Sequence, residues 1–349
     1  MDDVALVKLE ILKNTHIELR DAGLTVQALI GVGFADDARA YLDWLLHATR
    51  LTWPELRVVY DIYGRQSLKE EELGQLQGFR NSRPVRIGNG AYRQLQLDVY
   101  GDVILAAEAI VSAGGKLDAS EMRMLKGLGK TVCREWRKPD SGMWEIRGAR
   151  RQYTFSKIMC WVALDRLLKL HAAGHLSLGP LEAQFRHERD RIVEIVEQRG
   201  FNPALGSYTS ELDGGHVVAN LLLMSSLGYI APTDPHFSDT FALVMQRLCR
   251  NGLLCRYEPG YDGGKNRESS FGICTFWAVE AMAARGEMAA AETMFDRACS
   301  CANDLGLFGE EIDAETCAAI GNFPQAFTHV GLINAALAIE RAKSGTAPC

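Results

Sequence analysis

The amino-acid sequence of 349 residues predicts an all-α protein, a single-domain (α/α)6 barrel. Three observations carry this. Apolar residues recur at three- and four-residue spacing, as in Ala38, Tyr41, Leu42, Leu45 and Leu46 or Ile158, Met159, Val162, Leu167 and Leu168, whereas alternating strand patterns are scarce. The length exceeds a usual small domain yet fits one large barrel, and 47% hydrophobic residues supply its core. Finally, the links between helices alternate between short and long.

Helix starts are marked by Asp, Ser, Thr or Pro and stops by Gly or Asn. In chain order the helices are placed at 4–14, 22–32 after Asp21, 36–50, 96–113 before Gly114, and 119–137 after Asp118. They continue at 154–173 from Thr154, 180–199 from Pro180, 214–227 before Gly228, 237–252, 271–285 after Ser270, 287–303 ending on Asn303, and 324–342 from Pro324. Short links such as Gly33-Phe34-Ala35, Gly114-Gly115-Lys116-Leu117 and Arg285-Gly286 join helices into hairpins. Long links cover 51–95, 138–153, 200–213, 253–270 and 304–323, and each enters the N-terminus of every second helix. Six hairpins closed into a ring bring those long loops to one mouth, where a rigid scaffold presents a site. The barrel is assigned to residues 1–343, with a short first hairpin, and 344–349 to a frayed tail. An irregular helical bundle is the plainer alternative.

Composition narrows the function classes. The net charge of −6 arises from 44 acids and 38 bases without a long run of one sign, which argues against a nucleic-acid or membrane-surface partner and permits a small uncharged ligand. No basic-apolar leader is seen after Met1-Asp2-Asp3, and no apolar run reaches the roughly 20 residues of a membrane helix. Nine cysteines, an odd number without paired metal-ligand spacing, read as reduced thiols of a cytoplasmic protein. No metal site is expected, and oligomeric state is not legible.

The unusual residues fall in the long loops. They are Arg20-Asp21, Asn89-Gly90-Ala91, the run from Gln94 to Tyr100 with Asp98, Trp144-Glu145-Ile146-Arg147, Arg150-Arg151-Gln152-Tyr153, Ser207-Tyr208 with Glu211, Arg256-Tyr257 with Glu268, Glu310-Glu311, and Gly321 through Phe327. Acids, arginines, amides and aromatics suit a sugar, whose hydroxyls pair with carboxylate or guanidinium and whose apolar face stacks on an indole. Each has a duller reading: a helix-start ion pair for Arg20-Asp21, a first-turn acid for Asp98, a surface pair for Glu145 and Arg147, and a solvated turn for Glu310-Glu311. Their shared position favours the sugar site. Trp144 also precedes Glu145 directly, and an apolar neighbour raises a carboxyl pKa.

Four stretches, Gln96-Leu97-Asp98-Val99-Tyr100-Gly101, Gly142-Met143-Trp144-Glu145-Ile146-Arg147-Gly148, Tyr153 through Asp165, and Asn303 through Asp313 with Gly321 through His329, resemble glycoside hydrolase family 15. That family contains glucoamylases, glucodextranases and bacterial trehalase-like enzymes, and the resemblance runs from about Leu19 to the last helix. It implies an inverting exo-acting α-glucoside hydrolase on an (α/α)6 barrel, working without a cofactor on a saccharide. It further implies Glu145 as general acid and Glu310 as general base, the two carboxyls standing roughly 6.5 to 9.5 Å apart. Glu311, where glucoamylases have glutamine, would adjust the base or bind a hydroxyl. Arg20 and Asp21 match a pair that holds the terminal glucose, Arg256 lines the same pocket, and Trp144 stacks on the sugar or fixes the acid; Asp98 and Arg147 complete the expected binding set.

The sequence departs from the family pattern at four places. Only 19 residues precede Arg20, without the β-sandwich domain of most bacterial relatives; Glu18 puts a charge where they usually carry Trp; Cys317 replaces a common Gly; and Glu268-Ser269-Ser270 stands in place of a Glu-Gly pattern. A glycine lost at positive φ costs about 1 kcal/mol. The competing readings are a degenerate, non-catalytic carbohydrate-binding barrel and a related phosphorylase, the latter disfavoured by the second glutamate loop.

Overall fold

The computed structural model describes residues 17–66, 68–78, 81–263 and 269–345. The helix expected at 4–14, most of the expected tail, Glu268 and Cys349 lie outside them.

Eleven α-helices occur among the described residues: α1 Ala22–Gly31, α2 Ala35–Thr49, α3 Val99–Ser112, α4 Ala119–Glu135, α5 Thr154–Ala172, α6 Leu181–Ile195, α7 Leu223–Ser226, α8 Pro235–Leu248, α9 Gly272–Ala284, α10 Met288–Cys299 and α11 Ala326–Ser344. They form the (α/α)6 barrel. The inner ring is α1, α3, α5, α7, α9 and α11: α1 packs on α3, α3 on α5, α7 on α9, α9 on α11, and α11 closes back on α1. Between α5 and α7 the ring is joined by Arg166, whose guanidinium donates to Leu227 O at 2.7 Å, and by Trp161, edge-on to Tyr229 at 5.2 Å.

Burial separates the two rings. In α9 only Glu280 and Ala284 escape full burial, as expected of a helix packed on all sides, whereas the outer α6 buries only Phe185 and Ile192. Two of the outer helices, α4 and α8, begin on a side-chain cap. At α4 the Asp118 carboxylate accepts from Glu121 N while Glu121 reaches back to Asp118 N, a capping box that satisfies two orphan donors.

Two expected helices are shorter than the periodicity implied. The segment 214–227 is helical only as a 3-10 turn, Ala219–Leu222, running into α7. Val218 before it is extended and bridges Tyr257, and Gly228 after it adopts φ 71°. The helix expected at 237–252 starts earlier, on Asp234 and Pro235, and stops at Leu248. Beyond it Asn251-Gly252, with φ 49° and 78°, turns a hairpin between Cys249–Arg250 and Leu253–Leu254, the turn that this dipeptide favours.

The long loops gather at the N-terminal ends of the inner helices and are stitched to one another. Ile17–Glu18 pairs with Val59–Tyr60, Tyr153 bridges Glu211, and Cys255 bridges Ser270. A three-stranded sheet joins Ser270–Phe271, Glu311–Ile312 and Ala319–Ile320. The expectation that every thiol is reduced is corrected by this loop, which returns Cys317 to the end of α10. There it is disulfide-bonded to Cys301 with Cα atoms 4.8 Å apart, within the span such a bond requires. Cys317 holds φ 58°, as a residue in a glycine's place would.

Candidate active site

Arg20 lies in a 3-10 turn, Leu19–Asp21, that feeds α1, and the turn is fixed by the fully buried Leu19, whose N–H donates to Val58 O at 2.9 Å. Its guanidinium donates to Met143 O of the acid loop, forms an ion pair with Glu18, and lies 3.5 Å from Asp21 Oδ1 and 3.7 Å from Glu145 Oε1. It also sits over the Phe327 ring at 5.9 Å. One side chain therefore ties the first loop to the acid loop and to the entrance of α11. Burial and the Glu18 charge push the Asp21 carboxyl up, against the pull of Arg20.

Glu145 is held at φ 55°, in the left-handed region that a non-glycine residue occupies at a cost of about 1 kcal/mol. Its carbonyl accepts from Gln94 Nε2 at 3.2 Å. The preceding Trp144 turns inward, edge-on to Phe271 at 5.8 Å and tilted against Trp277 at 5.9 Å, so it fixes the loop on α9. Burial, chiefly, then the Glu18 charge and the more distant Glu310 charge push the Glu145 carboxyl up to about 7, while Arg20 and the Asn89 amide oppose them. A carboxyl raised in this way keeps its proton to higher pH than an ordinary glutamate, as a proton donor must.

Glu310 is set by backbone pairing. Its N–H donates to Asn322 O at 2.9 Å and its carbonyl accepts from Gly272 N at 3.0 Å, between two strands of the small sheet. Its carboxylate Oε2 accepts from Asn322 N at 3.2 Å and Asn322 Nδ2 at 3.0 Å. Gly321 makes this fit possible: a Cβ there would stand 2.9 Å from that oxygen, and its φ is 75°. Glu311, the next residue, pairs with Arg256 at 3.0 Å, and Arg256 lies over the Phe271 ring at 4.7 Å.

Glu145, Glu310, Arg20 and Asp21 are thus brought together, with Trp144, Glu311 and Arg256 around Phe271 beside them. Of the other two expected sugar contacts, Asp98 is buried within the field of Arg20, whereas Arg147 lies exposed. Asp98 has no exposed surface; burial and then the neighbouring Asp140 charge push its carboxyl up to about 7, and neither oxygen has a hydrogen-bond partner. Arg147 is mostly exposed and pairs with Glu70 of the 51–95 loop at 2.7 Å, a hydrogen bond that holds the Glu70 carboxylate below its usual range.

Several supporting residues have partners that the sequence did not assign. Asn89 Nδ2 donates to Glu18 Oε1 at 3.2 Å, and Asn322 clamps Glu310. Asp140, fully buried, accepts from Leu97 N at 3.0 Å and Ser156 Oγ at 2.8 Å and so fixes the base of the acid loop. Its only signal in the sequence is an Asp-Ser-Gly step just ahead of Trp144-Glu145.

Comparison with known proteins gives the same frame. The chain is 36% identical over 331 residues to a trehalase of Mycolicibacterium smegmatis, with 93% of this chain and 49% of that protein covered. It is 34% identical over 325 residues to a trehalase of Thermoplasma acidophilum, with 93% and 55% covered. The chain therefore spans about half the length of the curated relatives it matches. Among solved structures, a wild-type glycosidase superposes with TM-score 0.77 at 16% identity over 94% of this chain and 88% of that one. A glucoamylase from Saccharomycopsis fibuligera superposes with TM-score 0.71 at 11% identity over 95% and 87%. The model of glycosyl hydrolases family 15 matches residues 18–337, and the chain belongs to that family.

Proposed function

We propose that the chain hydrolyses α-glucosides by single displacement with inversion, and that its substrate class is trehalose. The observation that carries this is the pairing of two differently treated glutamates: Glu145, desolvated and pushed up to about 7, and Glu310, a half-buried acceptor of two N–H bonds from Asn322. The trehalase relatives favour trehalose over longer glucans.

Glu145 donates its proton to the glycosidic oxygen as the bond to the anomeric carbon breaks. Glu310 takes a proton from a water that attacks that carbon from the opposite face. Asp21 and Arg20 hold hydroxyls of the attacked glucose, and Arg256 with Glu311 lines the pocket. The fixed guanidinium donates to these hydroxyls and the carboxylates accept from them without reorganising. Trehalose then yields one β-glucose from the attacked ring and one α-glucose from the leaving ring, with no cofactor consumed. The reading places the enzyme in the cytoplasm as a soluble protein; among the described residues no helix is long and apolar enough to cross a membrane, and Cys133, Cys160 and Cys249 are free thiols.

Proton NMR of trehalose, maltose and isomaltose digests tests this, because it reports linkage and anomer together. Equal initial amounts of α- and β-glucose from trehalose are expected. Retention at the attacked carbon, or undiminished turnover by Glu145→Gln, would overturn the assignment.

A further inference from the structure

The fold places the Glu18 carboxylate among the charges that surround Glu145. Its backbone is pinned by pairing with Val59 and by the Leu19 to Val58 hydrogen bond of 2.9 Å. Its Oε2 forms an ion pair with Arg20 Nη2, and its Oε1 accepts from Asn89 Nδ2 at 3.2 Å. Arg20 spends Nη1 on Met143 O, and the same nitrogen stays 3.7 Å from Glu145 Oε1, too far for a hydrogen bond. Glu145 Oε1 is buried without a hydrogen-bond partner.

We propose that Glu18 is a positioning residue for the general acid: by holding the Arg20 guanidinium it keeps that cation from donating to Glu145, so the acid carboxyl retains its proton. The groups facing Glu145 are Glu18 and Asn89 from the first loops, Arg20 and Asp21 at the entrance of α1, and Glu310 across the site. Only Arg20 among the charged ones favours the ionised acid, and Glu18 is its nearest partner. Glu18 thus acts twice in the same direction, by drawing Arg20 away and by its own negative charge. The inference rests on the hydrolase reading for its consequence, since a protonated Glu145 matters only if it donates.

The test is a carbon-13 NMR titration of glutamate carboxyls, with Glu145 assigned by its loss in Glu145→Gln, beside the pH profile of kcat/KM on trehalose. In Glu18→Gln the Glu145 midpoint should fall by about one pH unit, and the alkaline limb of kcat/KM should fall with it. Glu18→Asp, which keeps the charge, should recover most of the shift. Glu18→Leu replaces Glu18→Gln if the latter does not fold, as judged by circular dichroism. An unchanged Glu145 midpoint in folded Glu18→Gln overturns the proposal. The titration needs no turnover, so an unaltered chain that hydrolyses nothing would sink the hydrolase reading while the role of Glu18 is still decided.

Discussion

The acid loop and the base loop each end in a glutamate, yet the protein treats them oppositely. Glu145 sits on an irregular loop in a left-handed conformation, propped by side chains that arrive from far along the sequence: Gln94 beneath its carbonyl, and Phe271 and Trp277 against Trp144. Glu310 sits in a small sheet whose backbone bonds alone set its direction, with Asn322 finishing the clamp. The first arrangement strips water from a carboxyl and gathers negative charge around it; the second surrounds a carboxyl with donors. On the proposed reading, one residue type serves as proton donor or acceptor according to its surroundings.

The largest test of this contrast removes each carboxyl in turn. Glu145→Gln and Glu310→Gln should each lower kcat on trehalose by about 10²- to 10⁴-fold, the range general acid–base catalysis supplies. A loss confined to KM in either variant would break the contrast, because it would make that glutamate a binding group. Next in size, Arg20→Met leaves Glu18 and Asp21 without their cation and should cost about 3 kcal/mol of stability in urea unfolding, since breaking a buried pair strands its partners. Smaller still, Asn322→Ala removes the side-chain donor to Glu310 and should lower kcat about tenfold, the worth of one hydrogen bond to a charged group, with KM little changed.

The pH dependence sharpens the same point. Because Glu145 is pushed up to about 7 and must be protonated to donate, kcat/KM should decline above pH 7, tenfold per unit once the group is ionised. The sign for stability follows from the same shift. A carboxyl raised from 4.5 to about 7 binds more protons folded than unfolded, so it lowers stability as pH rises through that interval. Chemical denaturation at pH 5 and pH 8 measures this, and Glu145→Gln should abolish its share of the difference.

What could be read beforehand divides along similar lines. The barrel was legible because its helices repeat apolar residues at three- and four-residue spacing and its links alternate in length, both local properties. Glu145, Glu310, Arg20 and Asp21 were legible because each lies in a contiguous motif. Asp140 was not, and Asn89 and Asn322, though named among the unusual loop residues, gave no sign of their partners, Glu18 and Glu310, because chain distance conceals them. The short α7 and the Asn251-Gly252 hairpin were misread for another reason: apolar runs such as Val217 to Leu223 satisfy a helical pattern even where a long-range bridge, Val218 to Tyr257, holds the backbone extended. Arg147 shows the converse, since a motif fixed its neighbourhood but not its pairing with Glu70.

The three-stranded sheet has a further consequence, because Glu310 and Glu311 are identical side chains one position apart. In a strand, neighbouring side chains point to opposite faces, and Glu311 is registered opposite Phe271 on one side and Ile320 on the other. A slip of one residue in the pairing of Glu311–Ile312 would exchange the positions of Glu310 and Glu311, handing the role proposed for Glu310 to its neighbour without altering a single atom of the sequence. The hydrogen bonds of this ribbon therefore set a reading frame: they decide which of two equivalent letters the chemistry reads.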